Sequence, residues 1–81
     1  MQRQGTKLPF NHSTWVDWAE QAGVDWRTLV AYGSGKSVKG VARVKCRKQF
    51  ELLVKVCDTL ELHENAQFFR FVLRRQESVG K

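Results

Sequence analysis

The chain has 81 residues, of which 42% are hydrophobic and 27% are charged, and this is the composition of one small globular domain. Such a short chain buries only about 60% of its unfolded surface, so a second subunit could add to a modest core. One proline and six glycines exclude a low-complexity chain. No run approaches the roughly 20 apolar residues of a membrane span, and residues 1–10 lack the apolar core of a signal peptide.

The positive charge is concentrated in one segment. The net charge is +6, yet residues 26–50 contain no acidic residue and seven basic ones: Arg27, Lys36, Lys39, Arg43, Lys45, Arg47 and Lys48. The rest of the chain has seven basic and eight acidic residues, a net charge of −1. Nucleic acid is the usual partner of so one-sided a distribution. A solvated basic face and an anionic membrane surface are the alternatives, and the membrane surface would need a long apolar face beside the charges.

The first predicted helix follows an irregular N-terminal arm. Residues 1–12 are polar, and Pro9 disfavours helix at Leu8. We expect Leu8 and Phe10 to pack onto the domain, and Arg3 and Lys7 could reach a nucleic-acid groove.

Ser13 or Thr14 is the predicted N-cap of the first helix. The buried face of this helix then consists of Trp15, Trp18, Ala19 and Ala22.

Gly23 ends this helix and Asp25 starts the next, over residues 26–32. Gly33-Ser34-Gly35 stops the second helix. Residues 36–46 are ambiguous, because their glycines and valines permit a loop or a short β-hairpin.

Two further helices are predicted, over residues 47–62 and 64–75, followed by a frayed tail at 76–81. Residues 13–75 thus form the domain. The third helix has an apolar stripe formed by Phe50, Leu53, Val54, Cys57 and Leu60. The fourth is apolar on more than one side, which predicts a dimer interface that includes Phe68, Phe71 and Val72.

The first two helices have the spacing of a helix–turn–helix. A small residue at Ala19 allows a close crossing and Gly23 allows the turn, while the core side of the pair has Val24, Leu29 and Tyr32. The outer face of the second helix, which in a helix–turn–helix enters the major groove, consists of Trp26, Arg27, Val30, Ala31 and Ser34.

Residues 15–34 resemble the helix–turn–helix of the phage-repressor and Cro-like family, and residues 50–62 look like the core helix that follows it. The resemblance implies a small, often dimeric, DNA-binding regulator. The chain departs from this family in two respects: it has little room for a helix before the motif, and the link between residues 33 and 47 is long. This link could be a β-wing, as in excisionase-like winged helices.

Arg27 is the best candidate for reading a base, because a guanidinium near the start of a recognition helix can bind guanine bidentately. A phosphate contact is the alternative. Trp26 could contact a thymine methyl group or pack beside Trp15 or Trp18. Phosphates would be neutralised by the other six basic residues: Lys36, Lys39, Arg43, Lys45, Arg47 and Lys48. If about four of them contacted phosphates, the logarithm of the DNA-binding constant K would fall with the logarithm of the salt concentration, with a slope near −4.

Catalysis, cofactor binding and metal binding are not expected. Gly33-Ser34-Gly35-Lys36-Ser37 resembles the end of a phosphate-binding loop, but Val30 occupies the position of its first glycine. Cys46, Cys57, His12 and His63 lack metal-ligand spacing. Nothing in the sequence assembles a base beside a nucleophile.

The sequence therefore predicts an all-α domain with a helix–turn–helix, with either a loop or a short β-wing between residues 36 and 46. We expect a cytoplasmic, nucleoid-associated homodimer that binds specific double-stranded DNA as a regulator of phage or mobile-element type. Two alternatives stay open. One is an RNA-binding or antitermination factor, and the other is an antirepressor-like module that binds an acidic protein.

Overall fold

The computed structural model describes residues 10–79, and all their regular secondary structure is helical. Within this part of the chain there are four helices: α1 (His12–Ala22), α2 (Trp26–Gly33), α3 (Gly40–Thr59) and α4 (His63–Val79). The all-α prediction is confirmed. No helix among these residues has the length and apolar character needed to cross a membrane.

The N-cap of α1 is Asn11, so the prediction of Ser13 or Thr14 is wrong. The Asn11 Oδ1 accepts from the backbone N–H of Thr14 at 3.0 Å and also from the hydroxyl groups of Ser13 and Thr14. A carboxamide in this position satisfies a backbone donor that the first helical turn leaves open. The helix therefore starts at His12, inside the predicted arm.

Aromatic side chains from all four helices and from Phe10 form the centre of the core. Trp15, Tyr32, Phe50 and Phe69 are buried, and Phe50 has edge-on contacts with Tyr32 and Phe69, each with 5.3 Å between ring centroids. The ring of Phe10 stacks on Phe69. The expected packing of Phe10 onto the domain is confirmed, whereas Arg3, Lys7 and Leu8 lie outside the described residues.

Helix α3 begins seven residues before its predicted start, so residues 40–46 are helical and form no wing. Gly40 permits this start because its φ of 70° is a left-handed conformation that glycine adopts without strain. The core stripe also extends further toward the N-terminus, with Ala42 partly buried and Cys46 fully buried before Phe50. Leu60, placed on this stripe from the sequence, is 61% exposed.

Helix α4 extends to Val79, so residues 76–79 are not a frayed tail. The polar side chain of Gln76 is only 1% exposed and belongs to the interior. The predicted end at Arg75 is wrong because the helix continues one more turn to place this amide against α2 and the loop after it. Gly80 and Lys81 lie outside the described residues.

Candidate nucleic-acid interface

The turn between α1 and α2 has the predicted form. Gly23 has a φ of 80°, and the N–H groups of Gly23 and Val24 both donate to the carbonyl of Ala19, at 2.8 and 3.0 Å. The carboxylate of Asp25 then caps α2 by accepting from the N–H of Arg27 at 2.8 Å. Since a left-handed residue closes the first helix and a carboxylate opens the second, α2 begins three residues after the turn glycine.

The predicted base-facing residues of α2 differ in exposure. Only Arg27 is fully exposed, while the other four members of the set are partly buried: Trp26, Val30, Ala31 and Ser34. Helix α2 contacts α1, α3 and α4, so little of its circumference remains free. On the inner side, Leu29 and Tyr32 are buried and Val24 packs against the core, as predicted.

Trp26 is partly buried, where it packs against the core and reaches the start of α1. Its indole meets the ring of His12 edge-on, with 4.5 Å between centroids. The guanidinium of Arg27 lies 5.8 Å from the Trp26 ring centroid, at the outer limit of a cation–π contact. The exposed indole surface thus supports the guanidinium at the start of α2.

Gln76 holds the loop after α2 in place. Its Nε2 donates to the carbonyl of Tyr32 at 2.8 Å and to the carbonyl of Lys36 at 2.9 Å. One buried amide of α4 therefore satisfies carbonyl groups on both sides of the turn at residues 33–35. Because an unpaired buried amide costs about 1–3 kcal/mol, the two bonds of the buried Gln76 side chain fix the path of the chain toward Lys36.

Two arginines lie next to this anchor. The Arg75 guanidinium packs against Gly35, where an added Cβ would lie 2.6 Å from its Cζ. The Arg43 Nη2 donates to the carbonyl of Gln76 at 2.9 Å. Lys36, Arg43 and Arg75 therefore converge, although they are far apart in the sequence. Together with Lys39 and Arg47, we call them the loop-end cluster.

Tyr32 indicates on which side of α3 this cluster lies. Burial raises the pKa of the Tyr32 phenol, the positive charges of Arg43 and Arg47 oppose that shift, and Cys46 and the negative charge of Glu51 add to it. Both arginines are therefore near the phenol, one helical turn apart on the same side of α3. Arg47 is exposed and Arg43 is half-buried.

The N-terminus of α3 adds positive potential beside the cluster. Its N-cap residue, Lys39, makes no side-chain capping bond, and the first turn contains no acidic residue. The open N–H groups of a helix start carry a partial positive charge. This end of the molecule therefore presents cationic side chains and backbone donors together.

Lys45 and Lys48 lie elsewhere, although the sequence placed them with the other phosphate-contacting residues. Both are exposed on α3. The Lys45 Nζ lies 3.4 Å from the carbonyl of Gly23, at the turn between α1 and α2. The structure thus separates the seven predicted cations into Arg27, the two lysines Lys45 and Lys48, and the loop-end cluster.

The residues predicted for a dimer interface do not share one exposed face. Val72 is 1% exposed and packs within its own chain, so it has no surface to offer a second subunit. Phe68 is partly buried against the core, and Phe71 is 57% exposed. The excess apolar residues of α4 therefore mostly serve the core of the same chain.

The cysteines are packing residues. Both are free and buried, and burial raises the pKa of the Cys46 thiol to about 11. The buried position of Cys57 on the apolar stripe is confirmed. Within residues 10–79, no three His, Cys, Asp or Glu side chains are grouped as metal ligands.

Sequence reasoning missed Arg75 and Gln76. Both lie beyond the last apolar residue of the α4 pattern, and only the docking of α4 against α2 brings them to the loop. No protein-family model matches the chain, and neither a curated protein nor a solved structure matches it.

Proposed function

We propose that the protein binds specific double-stranded DNA and acts as a small transcriptional regulator in the cytoplasm, on the nucleoid. The convergence of the loop-end cluster on one end of the molecule carries this proposal. Four of its members are exposed: Lys36, Lys39, Arg47 and Arg75. Exposed cations around an open helix start match the spaced phosphates of a nucleic-acid backbone.

Duplex DNA is favoured over RNA by the α1–α2 pair. A glycine turn followed by a capped helix with an exposed arginine in its first turn is the geometry with which helix–turn–helix proteins approach the major groove. Since Arg27 is the only fully exposed residue of α2, base readout would depend mainly on this side chain. We therefore expect a strong preference at one base position and weaker preferences around it.

Selection of bound duplexes from a random pool tests this proposal, with the wild-type chain and the variants Arg27→Ala and Lys36→Ala. Arg27→Ala should relax the preference at one base position, which is worth about 1–3 kcal/mol. Lys36→Ala should weaken binding to all sequences about equally, because a phosphate contact carries no base information.

The matched control compares Arg75→Ala with Arg70→Ala. Both arginines are exposed on α4, but Arg70 pairs with Asp58 near the end of α3 remote from Arg43. Arg75→Ala should reduce affinity and Arg70→Ala should leave it unchanged. No enriched duplex at moderate salt, or tighter binding to RNA of equal length, would overturn the proposal.

A further inference from the structure

Helix α3 has a second apolar face, directed away from the core. Its exposed aliphatic side chains are Val41, Val44, Leu52 and Val56, with exposures between 41% and 70%. Residues spaced three or four apart share a side of a helix, and Lys48 occupies the position missing between Val44 and Leu52. The four aliphatic residues therefore form one stripe along most of the 20-residue helix, interrupted at Lys48.

This stripe is too long to be explained by scattered surface residues. Single exposed aliphatic residues are ordinary, but an apolar row of this length, broken at one position, marks an interaction surface. A row of residues four apart is also one of the ridges with which one helix packs against another. The occupant should therefore be a helix.

The charges along α3 indicate which helix fits. The stripe begins beside Lys45 and Lys48, and the opposite end is followed by the exposed residues Glu61 and Glu64. A second copy of α3 in the parallel direction would place lysines against lysines. In the antiparallel direction, the basic end of each copy lies against the acidic end of the other.

We propose that the outward face of α3 binds the same face of a second copy of the chain, antiparallel, about a two-fold axis near Leu52. Leu52 then contacts its own copy, and Lys48 lies opposite Val56. Glu51 lies within one turn of Lys55 of the second copy, and the symmetry produces this pair twice. The arrangement leaves Arg27 and Lys36 outside the contact, and it does not depend on DNA binding.

The mass of the full chain in solution, measured by light scattering over a range of concentrations without DNA, tests the proposal. The wild-type chain should reach twice its 9.4 kDa monomer mass. Leu52→Lys should raise the dimer dissociation constant about a hundredfold or more, because both copies lose an apolar contact at the axis. Phe71→Lys, a similar change on the exposed side of α4, should leave the dimer intact. Circular dichroism checks that both variants keep their helices.

Engineered cysteines test the direction of the pairing. Leu52→Cys should form an intermolecular disulfide under mild oxidation, since the axis brings the two positions together. Val41→Cys should not, because antiparallel copies hold these positions about 30 Å apart. The wild-type chain is the control for its own buried thiols.

Three results would overturn the proposal. The first is a chain that stays monomeric at every concentration, which would leave the face to another occupant such as an acidic peptide. The second is a dimer that Phe71→Lys breaks and Leu52→Lys does not. The third is ready crosslinking through Val41→Cys, which would indicate a parallel pairing.

Discussion

Helix α3 has two apolar faces, and only one of them is used within the chain. The inward face, with Cys46, Phe50 and Leu53, is buried against the other helices. The outward face, with Val41, Leu52 and Val56, is exposed to solvent. Both faces have similar side chains at similar spacing, so hydrophobicity alone does not distinguish them. The two faces differ in what packs against them. The other helices cover the inward face, whereas no helix of the described chain covers the outward face.

The largest expected effect separates these two faces directly. Phe50→Ala should lower the free energy of unfolding by about 3–5 kcal/mol, because it leaves a cavity among Trp15, Tyr32 and Phe69. Leu52→Ala should change it by less than about 0.5 kcal/mol at concentrations where the chain is monomeric. Urea denaturation of both variants measures the difference, and equal losses would mean that the two faces are equally buried.

The stability that the inward face provides should also depend on pH in the alkaline range. The folded chain holds the Cys46 proton more tightly than the unfolded chain does, because burial raises its pKa from 9.0 to about 11. Stability from this group is complete below pH 9 and falls as the pH rises toward 11, by about 2 kcal/mol at pH 11.

Denaturation at pH 8 and pH 11 measures this loss, with Cys46→Ala as the reference. This variant lacks the thiol, so its stability should fall less between the two pH values. Parallel losses in the wild-type chain and the variant would show that the pH dependence has another source.

Two glycines between the end of α2 and the start of α3 can be compared. Gly35 and Gly40 both have positive φ, at 88° and 70°, so alanine at either position should cost about 1–2 kcal/mol of stability. Only at Gly35 would the new Cβ meet Arg75. Gly35→Ala should therefore also weaken DNA binding, and Gly40→Ala should not. Equal losses of affinity would mean that the position of Arg75 does not affect binding.

The outward face offers the smallest effect. Lys48 interrupts its aliphatic stripe, so Lys48→Leu should tighten self-association about tenfold while leaving the stability of the monomer unchanged. Sedimentation equilibrium measures the association. Weaker association in this variant would show that Lys48 makes a favourable contact in the dimer, contrary to its place opposite Val56.

The sequence predicts the local features of the fold well. The turn at Gly23, the cap at Asp25 and the buried residues Leu29 and Tyr32 all follow from short-range rules on glycine, capping and helical spacing. The predicted start of α3 was wrong because three valines and a glycine obscure the helical pattern before Phe50. In this pattern Ala42, Cys46 and Phe50 follow one another at intervals of four residues and all face the core. The stripe becomes visible only when these smaller residues are counted as core.

The candidate site was less predictable because its geometry is long-range. The basic run was evident from the sequence, but its separation into two surfaces depends on which side of α3 faces α4. Arg75 and Gln76 reach the loop only through the docking of α4, and no local pattern marks them. The predicted contact of Val72 with a second subunit failed for the same reason, since α2 and α3 already cover that side of α4.

The salt dependence of binding to duplex DNA tests the central claim most directly, by fluorescence anisotropy between about 50 and 200 mM salt. With the four exposed cations of the loop-end cluster on phosphates, log K should fall with log salt with a slope near −4 for the wild-type chain. Arg75→Ala should reduce the slope by about one, and Arg70→Ala should leave it unchanged. A chain that does not bind duplex DNA even at the lowest salt would contradict the account.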